Sequence, residues 1–185
     1  MTPQADTAAL AMGGTAACIT LALVLAQAGW HALRDQPDHA AAITAYRLLP
    51  DWAASPAAWA LPILNLAAAA LLIAPALRAP GAALAAFLLA IFTAAIGINL
   101  QRGITRIDCG CGGANGQKLS LGLVVRNLVI MVGLVIAATA PETGAVDAAT
   151  TVCVIGASLA LIALYFAANQ LMTNLQALSA LGSRS

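Results

Sequence analysis

The sequence predicts an all-α membrane protein, a polytopic helical bundle of about five transmembrane helices plus a short interfacial helix. Three observations carry that prediction. Long runs of Ala, Leu, Ile and Val recur at the length of about 20 residues that a hydrocarbon core of about 30 Å requires. Charge is scarce: 8% of residues are charged and 62% hydrophobic, against about 25% and 45–50% in soluble domains. Such a chain has too little polar surface to face water on all sides. The polar, Pro and Gly residues are bunched between the apolar runs, where they act as turns. The 185 residues read as a single integral membrane domain, 1–185, with no internal repeat.

Each element follows from its local sequence. The first span covers Ala8 to Leu33 and reads as a span, not a leader, because no basic segment precedes it and its apolar run is long. Asp38 to Pro50 is too polar to cross and too apolar to be plain loop. Ile43, Tyr46, Leu48 and Leu49 give it an apolar side, Asp38 can cap it and Pro50 ends it, so it reads as a helix lying along the interface. The second span covers Ala53 to Leu77 and the third Pro80 to Leu100, with turn chemistry from Ala74-Pro75 to Ala79-Pro80-Gly81. The fourth covers Leu121 to Ala140 and the fifth Ala148 to Asn169, separated by Pro141-Glu142-Thr143-Gly144. Small residues throughout let helix backbones approach in lipid. Asn65, midway along the second span, reads as an interhelical hydrogen bond. Trp30, Tyr46, Trp52 and Tyr165 fall near one boundary, as an aromatic belt does.

An odd number of spans puts the two ends on opposite sides. On the side opposite the N-terminus, side B, stand Arg34, Arg47, Arg102, Arg106, Lys118, Arg184 and the edge residue Arg126. On side A stands Arg78. The positive-inside rule makes side B cytoplasmic. The net charge of +1 gives no electrostatic footprint for nucleic acid.

The chemistry concentrates in Asp108-Cys109-Gly110-Cys111-Gly112, a polar segment on side B between spans three and four. Thiols one residue apart close a tight disulfide ring, and Gly110 can take the backbone angles it demands. A strained disulfide is labile or catalytic, whereas a staple across one residue constrains almost no chain and adds little stability. Arg102, Arg106 and Lys118 favour the reactive thiolate. Asp108 opposes it but can move protons during exchange. A metal reading competes: His31 and His39 with the two thiols would make a four-ligand set. The spacing matches no zinc pattern, and a lone loop histidine is more often a solvated side chain, so no metal ligand is assigned. Arg126 and Asn127 lie less than two turns into span four, where a charge usually faces a cavity or partner. With Arg47 and Asn99 they could line a pocket beside the thiols, for a quinone head group or a partner's loop. The competing reading of Arg126 is snorkelling to headgroups. Cys18 and Cys153 read as buried apolar residues or, less simply, as a second thiol pair near side A.

Ala45-Tyr46-Arg47-Leu48-Leu49-Pro50, Asp108-Cys109-Gly110-Cys111-Gly112 and Arg126-Asn127 together resemble the methylamine utilisation protein MauE family, within the broader DoxX-like group of redox-associated membrane proteins. The resemblance covers roughly residues 10 to 170. It implies a bacterial inner-membrane, multi-pass protein needed for maturation of the light (β) subunit of methylamine dehydrogenase. That subunit is periplasmic, rich in disulfides and carries a tryptophan-derived quinone. The implied partner is MauD, a thioredoxin-like protein, with Cys109 and Cys111 as the thiol pair serving MauD or the client. The expectation is thus a thiol–disulfide redox protein. The alternatives are a non-catalytic scaffold or chaperone for the same maturation, a transmembrane reductant relay, and a small-solute transporter with broken helices around Pro62 and Asn65. One tension stands: the client's compartment favours periplasmic thiols, while charge counting places them in the cytoplasm.

Overall fold

The computed structural model describes residues 3–104, 119–141 and 147–182. In chain order they form α1 (Pro3–Arg34), α2 (Gln36–Ala45), α3 (Asp51–Ile73), a 3-10 turn (Pro75–Leu77), α4 (Arg78–Gln101), α5 (Leu121–Thr139) and α6 (Ala148–Gly182). All five candidate spans are helices long and apolar enough to cross a bilayer. Asp108, Cys109 and Cys111 lie outside the described residues, as do Arg106, Lys118 and Glu142.

The bundle is arranged around α1, which packs against α3, α5 and α6, while α4 lies between α3 and α5. The main core is built from small and medium side chains: Cys18, Leu21, Ala22 and Leu25 of α1, Ala68, Ala69 and Leu72 of α3, Ala82, Ala85 and Leu89 of α4, and Leu134 and Ala137 of α5. The large side chains face outward instead, among them Val125, Val129, Val132 and Ile136 of α5 and Leu159 and Leu164 of α6. Buried polar residues include Thr20, Asn65, Asn127 and Ser158. Alanine inside and leucine outside inverts the soluble pattern. It suits lipid, where close backbone approach and interhelical polar contacts hold helices together. The α1–α6 seam uses both: the Thr20 and Ser158 hydroxyls each donate to a carbonyl one turn back, and each lies 3.4 Å from a carbonyl of the facing helix.

Turns follow proline. Ala74 is extended (ψ 117) because Pro75 follows it, as the clash with the proline ring requires. α3 therefore stops at Ile73, short of Leu77, and the 3-10 turn leads directly into α4. Ala79-Pro80-Gly81 does not make the turn expected of it. Proline is tolerated in the first turn of a helix, and Gly81 serves packing: a Cβ there would come within 2.8 Å of the Leu72 backbone nitrogen. α3 itself runs unbroken through Pro56 and Pro62, which removes the broken helix that a transporter reading needs.

A short helix does stand between the first two spans, but shifted from its expected bounds. Asp35, not Asp38, stands at its N-cap, with Pro37 in the first turn. The helix ends at Ala45, well before Pro50. Tyr46 to Leu49 turn the chain, Arg47 takes a left-handed backbone (φ 50), and extended Pro50 caps α3. A non-glycine residue at positive φ stores strain, and here it allows a reversal in four residues. At the other end Asp147 caps α6, its carboxylate accepting from the Thr150 backbone N–H at 2.8 Å. Hydrogen bonds from Thr150, side chain first and backbone second, hold the Asp147 carboxyl below the usual carboxylate range.

Candidate functional site

The stems of the cysteine segment are anchored on side B. α4 ends in a left-handed glycine, Gly103 (φ 72), whose N–H bonds to the Leu100 carbonyl at 3.0 Å, while the Ile104 N–H bonds to the Asn99 carbonyl at 2.9 Å. A carbonyl-satisfying turn with glycine past the last helical residue is a common helix ending. On the other stem Leu119 is buried with Ile96 and Leu123 in a second apolar cluster, against which Tyr46, Leu100 and Val124 pack. Chain leaving α4 and chain entering α5 therefore meet the α2–α3 turn at one end of the bundle.

Beside this end a cavity with mostly apolar walls and a few polar groups opens among α1, α2, α3, α4, α5 and α6. Its polar lining is His39, Asn65, Arg126, Asn127 and Tyr165, and its apolar lining includes Leu25, Phe92 and Leu134. The Arg126 guanidinium does not snorkel away from it. Nε and Nη2 donate to the Asn127 side-chain oxygen at 3.4 and 3.2 Å, and Nη1 donates to the Asn169 side-chain oxygen at 3.2 Å. The Asn127 amide donates on to the Thr93 hydroxyl at 3.2 Å, which donates to the Leu89 carbonyl at 2.6 Å. The network thus ties α4, α5 and α6 together and ends on a backbone carbonyl. Arg126 is a charge balanced by amides, and its position gives the cavity a positive wall.

The cavity measures about 60 Å³. At about 10–15 Å³ per water it has room for roughly four to six, whereas an apolar void that admits benzene is about 150 Å³. The Arg126 donors facing Asn127 and Asn169 are already used. The walls are mostly apolar, with polar groups supplied by His39, Asn65, Arg126, Asn127 and Tyr165.

The predicted pocket residues are split. Arg126 and Asn127 come together on the cavity wall. Asn99 is fully buried below the cysteine stem: its amide nitrogen donates to the Ala95 carbonyl at 3.0 Å and its side-chain oxygen is buried without a partner among the described residues. Arg47 is exposed on the α2–α3 turn. His39, expected to be a solvated loop side chain, is 8% exposed and lines the cavity. It sits on α2, and α2 folds back over α1 and α3. Asn65, expected in an interhelical bond, lines the cavity as well. Thr93, Tyr165 and Asn169 were not anticipated. The available signal was spacing: Tyr165 and Asn169, four residues apart, share one helix face. On side A, Cys18 is sealed in the core beside the Ala137 carbonyl, 3.7 Å away, and Cys153 is exposed on α6; both are free thiols. Among the described residues no group of three or more His, Cys, Asp or Glu is placed to hold a metal.

Comparison with known proteins gives one consistent result. Residues 10–140 match the family model described as methylamine utilisation protein MauE. The chain is 34% identical over 156 residues to a methylamine utilization protein MauE of Methylophilus methylotrophus, covering 83% of this chain and 82% of that protein. It is 41% identical over 157 residues to the one from Paracoccus versutus, covering 82% of each, and 42% identical over 114 residues to the one from Paracoccus denitrificans, covering 60% of this chain and 61% of the other. No solved structure matches.

Proposed function

The chain belongs to the methylamine utilisation protein MauE family, and from that premise we propose that it serves methylamine utilisation as a thiol–disulfide redox protein of the bacterial inner membrane. Its client is the light (β) subunit of methylamine dehydrogenase, whose disulfides it helps to form, and its partner is a thioredoxin-like protein of the MauD type. The observation that carries this reading is the spacing of Cys109 and Cys111 across one glycine, in a polar segment of the sequence whose two stems are pinned beside the cavity that Arg126 and Asn127 line.

The exchange balances as follows. A client thiolate attacks one sulfur of the Cys109–Cys111 disulfide, that bond breaks, and a mixed disulfide forms. A second client thiolate attacks the mixed disulfide, the client disulfide closes, and Cys109 and Cys111 are left as two thiols with the client's two electrons and two protons. The disulfide of the thioredoxin-like partner then takes those electrons and restores the pair. Thiolate is the reactive form at each attack, so the basic residues of this segment, Arg102, Arg106 and Lys118, favour the exchange, and Asp108 is positioned in sequence to accept or return the proton.

Cys109→Ser and Cys111→Ser should each abolish growth on methylamine and leave the dehydrogenase light subunit with unpaired thiols, to be read by alkylation and mass spectrometry. Normal disulfides and normal growth in both variants would leave a scaffold, with the thiols dispensable and the α2–α3 turn as its docking element.

A further inference from the structure

α6 is the least buried of the five candidate spans. α1, α3, α4 and α5 form a closed ring, each packing on the next and α5 packing back on α1, whereas α6 packs chiefly on α1 from outside. The cavity lies within the ring, and α6 contributes Tyr165 to its lining. The α1–α5 seam is tight toward side A, where Gly14 lies against Ala140 and Cys18 against the Ala137 carbonyl. Toward side B the same two helices give Val24, Ala28, Arg126 and Ile130 to the cavity wall. There α6 covers the seam: Tyr165 faces the cavity, and Asn169, one turn on, accepts from Arg126 Nη1 at 3.2 Å.

α6 is held differently in its two halves. In the side A half it is held by α1, through the Thr20 and Ser158 hydroxyls at 3.4 Å from facing carbonyls. In the side B half it is held by α5, through the Arg126–Asn169 bond and through Met172, whose sulfur lies 3.3 Å from where a Gly122 Cβ would stand. Its outer side chains, among them Ile155, Leu159 and Leu164, meet lipid whether α6 is docked or swung out. Lipid supplies no hydrophobic force that presses one helix on another. Moving the side B half of α6 away therefore costs the contacts of Tyr165, Asn169 and Met172 and little else, and elements with few contacts open at low free energy.

We propose that α6 is a lateral door on the cavity, hinged on α1 at Thr20 and Ser158 and latched to α5 by the Arg126–Asn169 bond, and that it admits a small uncharged molecule dissolved in the lipid. Opening frees Arg126 Nη1, while Nε and Nη2 stay on the Asn127 oxygen. The entering molecule therefore carries an acceptor oxygen, which replaces that of Asn169. The mostly apolar walls select against charge, and a volume of about 60 Å³ limits the entrant to about six heavy atoms. The door does not depend on the thiols of Cys109 and Cys111.

The test places a reporter thiol on the cavity wall with Asn65→Cys in the full chain, reconstituted in lipid vesicles. Its modification by methyl methanethiosulfonate, a small neutral reagent with sulfonyl oxygens, is timed by site-resolved mass spectrometry, beside a trimethylammonium analogue of the reagent. The neutral reagent should modify the reporter and the charged one should lag far behind. Asn169→Ala, which removes the latch, should raise the neutral rate about threefold to tenfold, the worth of one polar contact within a membrane. A disulfide formed between Gly122→Cys and Met172→Cys should lower the rate at least about tenfold by suppressing opening, and prior reduction should restore it. Leu134→Cys, on the same wall, serves as reporter should Asn65→Cys fail to fold. Equal rates with latch intact, latch removed and door locked overturn the proposal, as does no modification of either reporter in the folded chain. Equal rates for the charged and neutral reagents overturn it too, because entry would then be from water beneath α2. None of these readouts needs a client or growth, so the door and the disulfide reading fail separately.

Discussion

Arg126 and Arg78 are both guanidinium groups inside a membrane bundle, and they are housed in opposite ways. Arg126, near side B, makes three hydrogen bonds to two asparagine side chains, and one of those amides passes the contact on to Thr93 and Leu89. Arg78, at side A, makes one long bond, and two more of its nitrogens are buried without a partner among the described residues. The first arginine is part of the architecture, because it links α5 to α6 where α6 otherwise packs chiefly on α1. The second keeps those donors buried without a partner among the described residues. The bundle therefore divides its work between its ends. Side B carries a closed polar network beside the cysteine stems, and side A carries close helix packing around a buried cation.

That division can be broken or sharpened by substitution. The largest structural effect is expected at side A. Gly81→Ala pushes a Cβ against the backbone of Leu71 and Leu72, at 2.8 to 2.9 Å, and overpacking of this kind costs about 1–3 kcal/mol. Unfolding in mixed micelles measures it, and an unchanged stability would show that α3 and α4 do not pack this closely. Next comes side B. Arg126→Ala removes three bonds at once and strands the Asn127 oxygen in a buried position, for a loss of about 1–2 kcal/mol on the scale of polar contacts within membranes. A double-mutant cycle with Asn169→Ala isolates the α5–α6 tether, and a coupling of zero would contradict it.

The smallest effect is at the α6 cap. The folded Asp147 carboxyl is held below its ordinary range by Thr150, so its contribution is present above an unfolded pKa of about 3.9 and fades as pH falls through the lower folded value. Hydrogen exchange of the first-turn amides of α6 should show protection lost in strong acid. Asp147→Asn, which caps without titrating, should keep that protection at every pH.

The sequence made the spans legible because lipid imposes a simple length and composition rule, and all five helices lie where the apolar runs do. It was less informative where proline and glycine serve two purposes. Pro80-Gly81 spells a turn, yet proline fits a first helical turn and the missing Cβ is used by α3, a neighbour that sequence alone does not reveal. The cavity was half legible. Arg126-Asn127 stood out because polar residues within a span need a reason. His39 did not, because its burial depends on α2 folding back over α1 and α3. Asn99 and Arg47 shared a side of the membrane with Arg126 but not a surface, since a side is a coarse coordinate and helix rotation decides what meets.

The central claim is that Cys109 and Cys111 exchange a disulfide with a thioredoxin-like partner. The direct measurement is to trap the intermediate: express the chain with Cys111→Ser, quench the cells in acid, alkylate, and resolve the membrane fraction without reductant. The account predicts a reducible species joining Cys109 to an active-site cysteine of the partner, absent when Cys109 is also replaced by serine. No such species, in cells where both proteins are present and the client is maturing, would contradict it.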